Sequence, residues 1–323
     1  LEPGERLPSV WRIGSKPNLN QLHHEARRTM STDRITSYLT KEVDNCKRLL
    51  DGVKSSQVQC HTQPNSPADV PDDGKFRLVI LNPEEHSSKD KLSPLSVRIM
   101  TESTSPGRKY RNAVFVASTS PEGWERMRQS ALNILAWRQV KVDLEAMTDE
   151  SEDRIAEVNE KIKASEKDLP ARILNAYSNA IHNDKNGEVV VTQIHQQGTT
   201  LWERLKQTQT LDFKEENFTP AALLPNNPIG KDIWSKDKRW QYLDRVKTLF
   251  AEEPHLPRIL NQGTILNTIA EGCERGLWVL EMPRDDDSVR SVWLTKPDQG
   301  LLESNRTKWR LTTDPELQLH ELS

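Results

Sequence analysis

This sequence of 323 residues has neither a strong excess of charge of one sign nor a long apolar run. Lys and Arg number 45 against 48 Asp and Glu, for a net charge of −3. That balance excludes a global basic field for nucleic acid or membrane, although it leaves room for a local patch. The first residues, LEPGERLPSV, contain neither a signal peptide nor an initiator Met. We therefore expect a cytoplasmic piece of a longer chain that makes no membrane contact.

Cysteine is scarce, and its spacing excludes two further classes. The three cysteines, Cys46, Cys60 and Cys273, lie far apart and form no CxxC pair. A disulfide framework and a zinc knuckle are therefore not indicated. Only 34% of the residues are hydrophobic while 29% are charged. This composition is lean for one compact globule and favours a modular, helix-rich protein.

A phosphate-binding loop is also missing. Such a loop needs a glycine-rich turn followed by Lys and Ser or Thr, because backbone N–H groups cradle the phosphate and the hydroxyl holds magnesium. The nearest approach is Gly230-Lys231, where Asp232 follows and Pro225 takes the place of the earlier glycine. We therefore predict no cofactor site and no catalytic residue in this chain.

Two short apolar runs stand at the centre of the sequence. Phe76–Leu81 and Asn112–Ala117 are rich in β-branched residues and bounded by Pro, Gly or Asn, as buried strands are. A helical segment opens at Pro121, so the order of strand, connection, strand and helix predicts a parallel α/β unit. Val58–His61 and Glu188–Ile194 add two strands, and the alternating Leu95–Ile99 predicts an edge strand.

Helical spacing dominates elsewhere. Asn18–Met30 and Asp33–Leu50 are predicted as amphipathic helices before the sheet. Residues 121–183 predict an antiparallel helical hairpin inserted into the α/β unit, and its last helix runs from Pro170 to Ile181. Residues 240–297 predict three helices, the middle one at Leu256–Leu260, followed by two strands, which is the order of a winged helix.

The resulting fold is mixed α/β and helix-rich. Its predicted parts are an N-terminal helical segment (1–57), the α/β unit with its hairpin (58–200), a linker (201–239), a winged-helix-like module (240–297) and a tail with Trp309 as an anchor (298–323).

An acidic loop before the first apolar run is a candidate metal site. Asp69, Asp72 and Asp73, together with Lys75, resemble the acidic cluster of a metal nuclease. Adjacent carboxylates such as Asp72 and Asp73 point in different directions, however, and cannot easily face one ion. A turn whose Asp side chains bond the local backbone is the favoured interpretation.

A basic cluster before the second apolar run is the other candidate site. Arg108 and Arg111 could hold a phosphate or contact a partner through bidentate bonds. The alternative is solvated charge at the entrance of a strand.

The winged block invites a DNA-binding interpretation, but its charges favour a protein partner. Its recognition helix would offer Arg275 against Glu271 and Glu274, and its tip would be Asp285–Asp287. Phosphate contacts need Lys and Arg, and acidic groups repel the DNA backbone.

Several stretches together resemble the PglY/BrxC-like P-loop (AAA-type) ATPases of phage-defence islands, the domain of unknown function 499 family. They are, in chain order, a strand near Trp11 followed by Pro17-Asn18-Leu19-Asn20, Ser66–Asp73 leading into Arg77–Leu81, Arg108-x-Tyr110-Arg111-Asn112-Ala113, Leu135-Ala136-Trp137-Arg138, and Leu256-Pro257-Arg258-Ile259-Leu260 before Glu271-Gly272.

The resemblance implies a role in defence against phage. In that family the Walker motif lies upstream of the part similar to this chain, so ATP and magnesium are implied for the parent protein only. The implied partners are the upstream ATPase core and other defence proteins such as a DNA methyltransferase, with DNA contacted through the assembly.

We therefore predict a non-catalytic C-terminal coupling or docking region of such an ATPase. The alternative is a nucleic-acid-binding module that acts through the winged block. A free-standing hydrolase or nuclease ranks third, because no acid–base or nucleophile constellation stands out.

Overall fold

The computed structural model describes residues 18–53, 57–105, 107–147, 152–214, 219–234, 240–283, 290–293, 297, 300, 302 and 309–313. Within these residues the protein is mixed α/β, with ten α-helices and three sheets. The strand predicted near Trp11 and the acidic tip Asp285–Asp287 lie outside the described residues.

The helices are, in chain order, α1 (Leu19–Thr29), α2 (Thr32–Asp44), α3 (Lys47–Leu50), α4 (Pro94–Thr101), α5 (Pro121–Glu145), α6 (Glu152–Ala176), α7 (Leu201–Lys206), α8 (Pro228–Ile233), α9 (Leu243–Glu252) and α10 (Gln262–Glu274). The strands are β1 (Gln59–Thr62), β2 (Arg77–Ile80), β3 (Val114–Ser118), β4 (Asn179–Asn183), β5 (Val189–Gln193), β6 (Phe213–Lys214), β7 (Trp240–Tyr242), β8 (Arg258–Ile259), β9 (Val279–Pro283), β10 (Arg290–Trp293) and β11 (Arg310–Thr312).

The described residues divide into two compact units. The helical unit comprises those within 1–38 and 128–169, and the sheet unit comprises those within 39–127 and 170–323. Both 25-residue helices, α5 and α6, contribute residues to both units.

The helical unit has its own apolar core. It is formed by one face each of α1, α5 and α6, with Leu19, Trp137 and Val158 among its buried members. Asn18 begins α1 as predicted, because its side chain accepts a hydrogen bond from the Asn20 N–H. The His23 ring stacks on the Trp137 ring with centroids 4.0 Å apart.

The sheet unit is built around a five-stranded sheet in the order β1-β2-β3-β4-β5. The first three strands are parallel, whereas β4 and β5 are antiparallel additions. Every residue of β2 and β3 is buried. Buried strands of this kind are apolar on both faces, so their β-branched runs were a sufficient signal. The prediction of parallel strands at Phe76–Leu81 and Asn112–Ala117 is confirmed.

Three local predictions before residue 182 were wrong. Leu95–Ile99 is not an edge strand but part of α4, because the Ser93 hydroxyl caps its N-terminus and Pro94 fits the first helical position. No helix begins at Pro170, which lies inside α6, and that helix ends at Ala176 rather than Ile181, since β4 pairs with strands on both sides. The helix predicted at Asp33–Leu50 is interrupted between α2 and α3.

The C-terminal part of the sheet unit contains a four-stranded sheet in the order β10-β9-β11-β7. The β9–β10 hairpin occupies the two strand positions predicted from sequence. The helix predicted at Leu256–Leu260 was wrong, because β8 occupies that position and pairs in parallel with β6.

The core of this C-terminal part also draws on neighbouring segments. Leu223 and Trp234, from the segment predicted to be a linker, are buried in it. Trp309 lies in the same core, in the segment that was predicted to be a tail anchored by this residue.

Candidate functional site

The candidate metal ligands Asp69 and Asp73 bond their own neighbourhoods. Oδ2 of Asp69 accepts hydrogen bonds from the backbone N–H groups of Asn65 and Ser66, both at 2.9 Å, and these bonds lower the pKa of its carboxyl. Oδ1 of Asp73 accepts from Arg77 Nη1 at 2.6 Å, and that bond is the main cause of its lowered pKa.

Asp72 joins two loops. Its two carboxylate oxygens accept hydrogen bonds from the backbone N–H groups of Lys109 at 2.7 Å and Tyr110 at 3.0 Å. Among the residues that the structure describes, no group of three or more His, Cys, Asp or Glu could hold a metal ion. Each of the three aspartates therefore has its own bonding partners, which are local for Asp69 and Asp73 and distant along the chain for Asp72.

Arg108 is buried and faces backbone carbonyls. Its guanidinium donates to the carbonyl oxygens of Ile99 (2.7 Å), Val70 (3.0 Å) and Pro71 (3.3 Å). Burial lowers its pKa, and the carboxylate of Asp72, 3.7 Å away, acts in the opposite direction. Arg108 therefore fastens α4 to the acidic loop.

The Arg111 side chain is exposed, and its Nε donates to the Arg108 carbonyl oxygen at 3.3 Å. The structure thus places one of the two candidate arginines inside the fold and the other on the surface.

A cleft in the sheet unit brings together residues that no sequence motif links. It has a volume of about 570 Å³. Three segments line it: the end of β4 with the following turn and β5, the stretch from Gln209 to Asp212, and the stretch from Pro254 to Arg258. We call this the His182–Arg258 cleft.

Arg258 is the buried cation of the cleft and is 3% exposed. Its Nη1 donates to the Leu211 carbonyl oxygen and its Nη2 to the Asn183 carbonyl oxygen, both at 2.8 Å. Burial lowers the pKa of Arg258 to about 10, and the charge of Asp212 opposes that shift. Among the described residues Arg258 forms no ion pair within 4.0 Å, and its buried Nε has no hydrogen-bond partner.

His182 lies beside this guanidinium. Its Nδ1 is 3.3 Å from Arg258 Nη2 and 2.9 Å from the Asn183 carbonyl oxygen, and its Nε2 is 2.9 Å from the Thr192 hydroxyl. Burial, and then the charge of Arg258, lower the pKa of His182 to about 4. The imidazole is therefore neutral near pH 7, and Arg258 keeps the positive charge.

Among the charged groups of the cleft, the carboxylates have close bonding partners, whereas Lys185 has no ion-pair partner among the described residues. The carboxylate of Asp184 accepts from the backbone N–H groups of Asn186 and Glu188, each at 2.9 Å. The carboxylate of Asp212 lies 3.0 Å from Lys214 Nζ. Lys185 is exposed and forms no ion pair with a described residue. The cleft thus combines two engaged carboxylates with two cations that lack a carboxylate.

A second histidine, His255, lines the same cleft but is more exposed to solvent than His182. His255 Nε2 lies 2.8 Å from Oδ2 of Asp232, and both side chains are about one-third exposed, at 38% and 34%. This pair is in contact with solvent, whereas His182 is buried.

The sequence contains one signal for this cleft. Arg258 interrupts an otherwise apolar run, Leu256–Leu260, and a charge within a buried run must find polar partners. His182–Lys185 was predicted to form the end of a helix and the turn after it. The position of His182 beside Arg258 therefore could not be foreseen.

Comparison of the chain with protein-family models, with curated proteins and with solved structures finds no match. Among the described helices, none combines the length and the apolar character that a membrane crossing requires.

Proposed function

We propose that this chain is a non-catalytic coupling and docking region of a phage-defence ATPase of the PglY/BrxC-like kind. In this proposal α9, α10 and the β9–β10 hairpin form a winged-helix-like docking module, and α5 and α6 form an inserted helical hairpin. The module docks a partner such as a DNA methyltransferase, and the five-stranded sheet relays its state to the upstream ATPase core, which supplies ATP and magnesium chemistry.

The observation that supports this proposal most directly is a buried connection at Asn112. This residue precedes β3 and is fully buried. Its Nδ2 donates to the carbonyl oxygens of Phe250 at 2.9 Å and Leu256 at 3.0 Å, at the end of α9 and in the loop after it. One side chain thus joins the central sheet to the C-terminal block, by which we mean the described residues from 240 onward.

Arg258 provides a second connection of the same kind. It extends from β8 to the Asn183 carbonyl at the end of β4. Leaving a buried carbonyl without its partner costs about 1–3 kcal/mol. Because both connections are buried, a shift of the C-terminal block strains the sheet. That property suits a part that transmits a conformational state.

The test uses the full-length parent protein and its methyltransferase partner. We expect Asn112→Ala to retain basal ATP hydrolysis and to lose the change in rate that the partner causes. Asn186→Ala, at an exposed turn, is the matched control and should behave like the wild type.

Two results would contradict the proposal. The first is that Asn112→Ala still shows the full change in ATP hydrolysis rate on adding the partner, although faster hydrogen exchange in α9 shows that the contact of Asn112 with α9 is weakened. The other is salt-dependent binding of duplex DNA by residues 240–297 within the intact chain, which would favour the nucleic-acid-binding alternative.

A further inference from the structure

We propose that the His182–Arg258 cleft binds a small oxyanion, a phosphate or carboxylate group, between Arg258 and Lys185. The site shares Arg258 with the proposed coupling region, but anion binding itself requires neither the upstream ATPase nor a docked partner.

The first support is that Arg258 has no ion-pair partner within 4.0 Å among the described residues, with only the more distant charge of Asp212 opposing the effect of burial. A buried charge is costly unless it is paired and hydrogen-bonded, and buried arginines usually have a carboxylate or phosphate partner. Here the two carbonyl oxygens take one N–H from each terminal nitrogen, and Nε is left without a partner. Neutral carbonyl oxygens satisfy hydrogen bonds but do not neutralise the charge, so an anion in the cleft would complete the set.

The second support is the state of the neighbouring groups. Neutral His182 adds no charge beside Arg258, and Asp184 is occupied by its own turn. Asp212 is the nearest competitor, but Lys214 already holds its carboxylate. Lys185, exposed at the edge of the cleft, supplies the second cation. The anion therefore meets two cations, and each nearby carboxylate has other partners.

The third support is the size and lining of the cleft. A volume of about 570 Å³ lies within the roughly 300–1,000 Å³ range of small-molecule sites. Thr192 and Thr210 are among its polar lining residues, and Val190 and Leu256 are among its apolar ones. A ligand that carries the oxyanion on a small organic body matches this mixture.

The test is calorimetric titration of the complete chain with inorganic phosphate, pyrophosphate and succinate at constant ionic strength. We expect saturable binding of at least one probe with a Kd in the micromolar to low millimolar range, roughly −4 to −8 kcal/mol. Tighter binding of the two phosphates would identify a phosphate group as the natural ligand, and tighter binding of succinate would identify a carboxylate.

Two substitutions locate the site. Lys185→Gln should weaken binding about tenfold, because one charge-assisted bond is lost. Arg258→Lys should weaken it further, since an ammonium group cannot replace the planar fork. Lys91→Gln, at an exposed lysine that does not line the cleft, is the control and should bind like the wild type.

An NMR readout keeps the proposal testable if Arg258→Lys does not fold. Saturating phosphate should shift the imidazole signals of His182 in the wild-type chain and leave those of exposed His86 unchanged. The absence of saturable binding for all three probes would overturn the proposal. Equal weakening by Lys185→Gln and Lys91→Gln would also overturn it, because binding would then be non-specific.

Discussion

Acidification should destabilise the sheet unit through His182. In the folded protein burial lowers the pKa of this imidazole from 6.5 to about 4. The unfolded chain has no such burial and binds its proton at the ordinary pKa. The folded state therefore binds fewer protons between these two values, and the stability contributed by neutral His182 is present above pH 6.5 and is lost as the pH falls toward 4.

The magnitude follows from the two pKa values. Between about pH 7.5 and about pH 5, the difference in proton binding lowers the free energy of unfolding by about 2 kcal/mol. The measurement is urea denaturation of the wild type and of His182→Gln at both pH values, with unfolding monitored by a probe in the sheet unit. Other titrating groups act in both proteins, so the difference between their pH dependences isolates His182.

We expect the variant to be less stable at neutral pH but to lose about 2 kcal/mol less than the wild type on acidification. His86→Gln, at an exposed histidine, is the control and should follow the wild type. If the two proteins differed by less than about 0.5 kcal/mol in the unfolding free energy that they lose on acidification, the assignment of a buried neutral imidazole would be refuted. If the variant does not fold, NMR titration of His182 in the wild type decides the same question.

Three further substitutions test how the fold is held together. Gly272→Ala should lower the thermal midpoint strongly, with a cost of about 3 kcal/mol, because a Cβ there would overlap the buried Trp278 ring. Arg108→Gln should cost about 3 kcal/mol in urea denaturation, because the bonds to three carbonyls and the ion pair with Asp72 are lost. Asn112→Ala should cost about 1–3 kcal/mol and raise hydrogen exchange in α9, because two carbonyl oxygens lose their donor.

Each of these substitutions has a control at an exposed or open position. Gly276→Ala meets no atom within 4 Å and carries only the strain of a positive φ of 66°, so it should cost about 1 kcal/mol. Arg111→Gln and Asn186→Ala should stay within about 0.5 kcal/mol of the wild type. Equal losses in any substitution and its control would contradict the contacts on which that prediction rests.

Local sequence patterns were sufficient for the central strands, for α5 and for the part of α6 before Pro170. β2 and β3 are short β-branched runs that are buried on both faces, and α5 and the first part of α6 show apolar positions at steps of three and four, whereas the continuation of α6 through Pro170 was not predicted. Asn18 was also correctly identified as a helix cap. These features depend on residues within a few positions of one another, so their signal is contained in a short window.

Two of the errors came from segments whose partners are distant. β4 has the sequence NAIHN, which has little strand propensity, and it is a strand because β3 and β5 flank it. β8 became a strand in the same way, through its pairing with β6. In both cases long-range pairing outweighed local preference.

The sequence by itself determined the mixed α/β class, the central parallel strands and the scarcity of chemistry-bearing motifs. Tertiary structure alone decided which charges are buried. It placed Arg108 on three carbonyl groups rather than on the surface, and it brought Arg258 next to His182 across 76 positions of the chain. The physical reason is that burial and pKa depend on the atoms that surround a group in space, and those atoms come from segments that local spacing does not connect.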